Sequence, residues 1–301
     1  MCGGGRILGY AVACLQMYRF AAAELVPLNY RAKAISWVTA GGVAAAVIGP
    51  SLVRVTHDLT MPLYLATYAA ILGLHVIVFT IMSFITFPSV AASAAAAGPT
   101  EAAAPPRPLL VIASQPRFIA SAIAGMLAFG TMSFIMSASP LAIVGCGFPH
   151  SEAHWVIFMH VLGMFVPSFF TGNLINRFGA TTVMAWGVVL MLAGVAAALS
   201  CTTDWNVRSC APDHGSGWNG MCVGATTLVT TCYRPNERGK SQALNDLLVF
   251  STTATSSFMA GFLQDRWGWQ PLNWFSVLFM LAAAGAVLWL RYQSPKLSPA
   301  H

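Results

Sequence analysis

The chain has 301 residues, 57% of them hydrophobic and 8% charged, with a formal net charge of +6 and a mean hydropathy of +0.68. Soluble domains carry about 25% charged residues, so this composition excludes an ordinary water-solvated domain. The basic residues sit in short loops between apolar runs and form no stripe, which excludes a nucleic-acid partner as the reason for the charge.

Nine apolar runs are long enough to cross a bilayer: residues 7–26, 35–53, 62–87, 118–137, 153–172, 181–200, 217–233, 242–263 and 272–290. About 17–25 residues suffice for one helical crossing. They predict an all-α, polytopic membrane bundle of about nine transmembrane helices. The N-terminus has one early arginine, Arg6, and no small-residue cleavage site, so no cleavable signal peptide is evident.

The first run contains Arg19 and Glu24. Their five-residue gap is poor for pairing along one helix. Arg19 is therefore expected to face a cavity with Gln16 and Tyr18, where it could hold an anion or a substrate carboxylate. In the third run His75 has apolar neighbours and reads as structural. Residues 88–108 are Ala/Pro-rich, carry Glu101 and Arg107, and predict a cytoplasmic linker without a packed core, extending to about residue 117.

In the fifth run His160 shares a side with Met164, Pro167 and Thr171. It reads as a protonatable cavity residue or as a hydrogen-bonded packing histidine. His150, Glu152, His154 and His160 invite a metal reading, but no further carboxylate or cysteine lies nearby, so no metal and no cofactor is expected. Residues 201–216 read as a polar outer loop flanked by Cys201 and Cys210, a disulfide candidate if the location is oxidising. The other five cysteines, Cys2, Cys14, Cys146, Cys222 and Cys232, read as buried thiols in or near the spans.

The seventh run is short and opens at Gly217-Trp218-Asn219. Asn219, Thr226, Thr227 and Thr230 give it a polar stripe, for pore lining or for hydrogen bonds between helices. In the eighth run Asp246, Phe250, Thr253 and Ser257 share one helical face, and Asn245, Thr252 and Ser256 an adjacent one. Asp246 either carries a coupling proton or pairs with Arg238 or another cytoplasmic arginine.

Loop charge sets the orientation. Arg31, Lys33, Arg107, Arg117, Arg177, Arg234, Arg238, Lys240, Arg291 and Lys296 fall on the C-terminal side, and Arg54, Arg208 and Arg266 on the other. That asymmetry predicts a cytoplasmic C-terminus. Two of these loops also repeat. Pro27-Leu28-Asn29-Tyr30-Arg31-Ala32-Lys33-Ala34 returns, degenerate, as Pro235-Asn236-Glu237-Arg238-Gly239-Lys240-Ser241, with Arg31 and Arg238 207 positions apart. A duplicated membrane bundle would show such a repeat. The first span after the linker starts near 118, so its counterpart is expected roughly 90 residues upstream of Met1, with three further spans making twelve.

Gly172-Asn173-Leu174-Ile175-Asn176-Arg177-Phe178-Gly179 resembles the G-x-x-x-D-R-x-G loop of the major facilitator superfamily, departing from it at Asn176 and at Ala180. The blocks His160–Gly172 and Trp218–Thr227, the latter running on to Asn245-Asp246, resemble a prokaryotic-type branch of that superfamily. Gly49-Pro50 partly resembles the Gly-Pro motif of drug/proton antiporters, without the glycine pair that should follow. The resemblance covers nearly all of the chain, as spans four to twelve.

It implies residues 1–87 as a remnant of the N-terminal half-bundle, 88–117 as linker, 118–292 as a six-helix C-terminal half-bundle and 293–301 as a cytoplasmic tail. It implies secondary transport of a small solute by alternating access, proton-coupled, with Gly49-Pro50 favouring efflux. The solute pathway would draw on Arg19, Gln16, His160, Asn219, Asp246 and Thr253. Gating would fall to Arg31, Lys33, Gly172, Arg177, Gly179, Arg238 and Lys240. The expected partners are a small molecule or ion and the lipid bilayer, in a cell membrane, with the full-length protein a monomer. The alternative is a non-transporting membrane protein, a regulatory fragment or incomplete gene product. No P-loop, dinucleotide turn or nucleophile elbow is present, so an enzyme is not expected.

Overall fold

The computed structural model describes residues 2–86, 105–145, 147, 150–199 and 204–293. Among these residues there are helices and no strands. In chain order they are α1 (Cys2–Glu24), α2 (Arg31–Ala40), α3 (Gly42–Thr56), α4 (Leu65–Ser83), α5 (Leu109–Ala113), α6 (Pro116–Gly145), α7 (His150–Phe165), α8 (Ser168–Phe178), α9 (Ala180–Leu199), α10 (Asp204–Val229), α11 (Arg238–Trp267) and α12 (Trp269–Gln293). Short 3-10 turns, Leu28–Tyr30 and Pro235–Glu237, precede α2 and α11.

Six stretches are long and apolar enough to cross a membrane by length and composition. In two of them a pair of successive helices shares one stretch. The crossing by α2 and α3 bends at Gly41. The crossing by α7 and α8 breaks at Val166-Pro167, where proline has no N–H to continue the ladder. Three further helices, α1, α10 and α11, have 23, 26 and 30 residues but carry more polar side chains. Arg19, His214, Asn219, Asn245 and Asp246 on these helices are buried between neighbours, which is how a membrane helix tolerates such groups.

Helices α6 to α12 pack into one bundle. Its core joins Phe129 of α6, Met184 and Met191 of α9, Trp218 and Met221 of α10, Val249 of α11 and Met280 of α12. Glycines set the closest crossings. A Cβ on Gly187 would lie 2.6 Å from the Gly217 carbonyl oxygen, and one on Gly163 2.5 Å from that of Pro212. A Cβ on Gly215 would meet the backbone of His160. So α10 lies against α9 and α7 backbone to backbone, in the manner of small-residue membrane interfaces.

This packing corrects the sequence reading of α10. Residues 204–216, predicted as a polar outer loop, are helical and continuous with 217–229 through Pro212. His214 is buried there with its ring stacked on His160 at 5.4 Å. A buried polar residue facing a second helix resembles a solvated one when only its own segment is read. The disulfide expected between Cys201 and Cys210 lies outside the described residues. So do the side chains of His150, Glu152 and His154 from the metal reading.

The first four helices lean on this bundle at one end. Phe20 of α1 packs with Ile112, Phe118 and Val229, while Ala23 packs with Ile35, Ile175 and Val223. Beyond that end they are more exposed: α3 meets α7 where Gly42 faces Phe165 but contributes no buried residue, and α4 contributes only Thr67, which bonds Thr56 of α3.

Candidate functional site

Two charges buried within the helices come together between α1 and α11. The Arg19 guanidinium donates to the Asp246 carboxylate at 2.6 Å, with both side chains at most 12% exposed. Asn245 donates to the same oxygen at 3.1 Å, and Cys222 of α10 lies 3.9 Å from the guanidinium. Arg19 also lies over the rings of Phe20 and Phe129, at 4.9 and 5.7 Å, a cation–π setting. Asp246 thus pairs with Arg19. Arg238 pairs instead with Glu24 at 2.7 Å, and Gln242 donates to the other Glu24 oxygen at 2.9 Å.

Beside this pair stands an aromatic cluster that the sequence reading did not assemble. Phe129 meets Trp218 edge to face at 5.0 Å and Phe250 at 6.0 Å, and Phe165 meets Trp218 at 6.2 Å. The rings come from α6, α7, α10 and α11. The buried Trp218 indole N–H has no hydrogen-bond partner among the described residues. Phe165 and Trp218 lie in the two family-like blocks and Phe250 on the Asp246 face, but Phe129 is an aromatic within an apolar run, and only the helix packing distinguishes it from any other core ring.

The other expected pathway residues are placed differently. Asn219 is fully buried and donates to the Met164 carbonyl at 2.7 Å and to Ser168 at 2.5 Å, while Thr171 donates to its amide oxygen at 2.6 Å. It holds the α7–α8 break together. His160 is fully buried, with Nδ1 3.1 Å from the Ala211 carbonyl. His75 bonds the Ile71 carbonyl on exposed α4. Thr253 bonds its own helix at Val249, and Gln16 is half-buried on α1. Ser257 meets Ser133 of α6.

The loop end is closed by contacts between the first helices and the bundle. Arg31 donates to the Thr230 carbonyl at 2.9 Å, and Asn176 to the Asn29 carbonyl at 3.0 Å. Gly172 allows α8 to touch α2: its N–H donates to Ser36 Oγ at 2.9 Å, and a Cβ would fall 2.7 Å from the Lys33 Cα. Lys33 lies over the Tyr30 ring at 5.8 Å, and exposed Arg177 over that of Phe178 at 5.1 Å. Gly179 ends α8 with φ of 84°, a left-handed C-cap that side chains resist. Gly49 and Pro50 lie exposed on α3, and a Cβ on Gly49 would meet nothing.

The segment after residue 104 is not a free linker. Arg107 donates from its guanidinium and its backbone N–H to the fully buried carboxylate of Glu237, with contacts from 2.6 to 3.2 Å. Lys240 donates to the Arg107 carbonyl. The end of the 88–108 segment is tied down because Arg107 finds a buried acid 130 positions away. Burial alone would raise the Glu237 carboxyl. The hydrogen bonds from Arg107 and Arg234 outweigh it and hold its pKa at about 2, against 4.5 ordinarily. A carboxyl depressed on folding stabilises above its unfolded pKa and loses that contribution as pH falls toward the folded one. Glu237→Gln is therefore expected to lower the thermal midpoint of the detergent-solubilised protein at pH 7. Its deficit against wild type should shrink as the pH is lowered from about 4.5 toward about 2.

The sequence profile of the Major Facilitator Superfamily matches residues 122–301. The chain belongs to the major facilitator superfamily. It is 38% identical over 275 residues to the riboflavin transporter RfnT of Brucella anthropi, a match covering 91% of this chain and 68% of that protein. It is 25% identical over 295 residues to the MFS-type transporter YdeG of Bacillus subtilis, covering 95% and 69%. It is 29% identical over 170 residues to the MFS-type transporter YddS of the same species, covering 56% and 39%. As a facilitator the chain is an integral, multi-pass membrane protein whose family moves small molecules across bilayers.

Proposed function

We propose that this facilitator carries a small, planar aromatic solute of the flavin type by alternating access, coupled to protons. The observation that carries the reading is the Arg19–Asp246 pair set against the Phe129–Trp218–Phe250 cluster at the meeting of α1, α6, α10 and α11. Edge-to-face rings beside an indole N–H without a partner suit a flat heteroaromatic ligand, which offers a face or edge to the rings and carbonyl or ring-nitrogen acceptors to the donor. The likeness to a riboflavin transporter supports that choice of solute.

On this reading residues 1–87 and 118–292 belong to two half-bundles, with the linker and the C-terminus cytoplasmic, in the cell membrane and working as a monomer. Arg19–Asp246 and Glu24–Arg238 cross between the halves and close the cytoplasmic end. Protonation of Asp246 would release Arg19 and let the halves part there, linking proton movement to the rocking step. Efflux is the proposed direction, resting on the partial Gly49-Pro50 resemblance alone, and the sign of the flux in the assay below decides it.

The test uses the full chain in proteoliposomes. Riboflavin flux is followed by its fluorescence, with and without an imposed pH gradient. Saturable flux that accelerates with the gradient is the expected result. No saturable flux overturns the solute class, and flux indifferent to the gradient overturns the coupling.

A further inference from the structure

We infer that the groove between α5, α6 and α11 at the loop end is a binding site for an anionic glycerophospholipid, seating an acyl chain in the groove and its phosphate at Arg117 and Lys240. The groove has a volume of about 380 Å³ and a wholly apolar lining that includes Leu110, Ala113, Phe118, Ala122, Leu244 and Leu248. That volume lies within the usual range of roughly 300–1,000 Å³ for ligand sites. Its long walls are helical stripes. Phe118, Ala122 and Met126 follow one another on α6, and Leu244 and Leu248 on α11.

Both stripes begin with a cation at the same end. Lys240 precedes Leu244 by one turn on α11, and Arg117 immediately precedes Phe118 on α6. Arg117 has no carboxylate partner among the described residues, and Lys240 contacts the Arg107 carbonyl rather than an acid. The nearest carboxylate of this loop, Glu237, is saturated by Arg107 and Arg234. Two cations without a carboxylate partner among the described residues therefore stand at the starts of the two helices that wall the channel, where a helix end would meet lipid phosphates. α5, with Leu109 and Leu110 toward the groove, lies along its open side. A neutral lipid would fill the channel but leave both cations unmatched, so the complementary occupant is one with net negative charge.

This inference requires a bilayer around the bundle and is independent of the solute. The experiment is lipid retention by the purified full chain, read by native mass spectrometry after exchange into mixed micelles holding equal phosphatidylglycerol and phosphatidylcholine. One phosphatidylglycerol molecule is expected to stay bound in preference to phosphatidylcholine. A juxtamembrane cation contributes a factor of about five in lipid affinity. Arg117→Gln and Lys240→Gln should each reduce the preference by about that factor, and together by about 25-fold. Ala113→Trp, which fills the groove from its open side, should remove the bound lipid while both cations remain. Equal retention of the two lipids by wild type overturns the proposal. So does an undiminished preference in the double charge variant, which leaves a general surface effect. Unchanged retention in Ala113→Trp overturns the groove as the seat of the chain.

Discussion

Asp246→Asn is expected to abolish coupled flux while the protein still folds. The substitution keeps the shape and one hydrogen-bond acceptor beside Arg19 but removes the countercharge from a guanidinium at 8% side-chain exposure. Stranding one member of a buried pair costs about 3–5 kcal/mol, or a factor of roughly 10² to 10⁴ in the equilibrium that the pair supports. If that equilibrium is closure of the loop end, the closed form loses its advantage, and a second, independent readout follows. Cys222 is buried and lies beside the Arg19 guanidinium. It should be silent to a membrane-impermeant maleimide in wild type and labelled at least tenfold faster in Asp246→Asn. The reversed pair, Arg19→Asp with Asp246→Arg, should restore the protection of Cys222 in part. Wild-type flux and silent Cys222 in Asp246→Asn would show that the pair is only a packing contact.

Trp218→Phe should weaken riboflavin binding by roughly three- to tenfold without loss of stability, since it deletes one neutral hydrogen-bond donor and keeps an aromatic face. Trp218→Ala goes further. It removes the edge-to-face contacts to Phe129 and Phe165 and opens a core cavity, a loss of about 3–5 kcal/mol of folding free energy. Its binding should fall below detection. Quenching of flavin fluorescence on titration with protein separates the cases. An unchanged dissociation constant in Trp218→Phe would mean that the free indole N–H does not meet the ligand. In that event the cluster contributes by stacking alone, which Phe129→Leu would then expose.

Much of this architecture is legible in the chain because lipid imposes one rule: apolar runs of sufficient length become helices. The runs at 62–87, 118–137 and 181–200 correspond to α4, α6 and α9 for that reason. The rule fails at α10, whose first half is polar. Its burial depends on His160, Gly163 and Gly187, which belong to other helices. The site divides in the same way. Arg19 and Asp246 stand out singly because a charge in an apolar run is costly. Their pairing is invisible because 227 positions separate them. Glu24 and Arg238 behave alike. Phe129 carries no signal at all, since nothing local distinguishes a ring of the aromatic cluster from a lipid-facing one. Asn219 shows the reverse: its polarity is evident from sequence, yet it is spent on the Met164 carbonyl and Ser168 at the α7–α8 break.

The glycine seam of α10 has a mechanical meaning. Contacts between backbone atoms have no rotamers to exchange, so at Gly163, Gly187 and Gly215 α10 cannot give way by reshuffling side chains, whereas Met184, Met191 and Met221 along the same seam can. Held at those three points, α10 moves as a rod. Trp218 stands on that rod in the aromatic cluster, and the Thr230 carbonyl, just past its end, is the atom to which Arg31 is tied. At 1.5 Å per residue the two points are about 18 Å apart. On the proposed reading, a solute that shifts Trp218 along the helix would pull on the Arg31 tether by a similar amount.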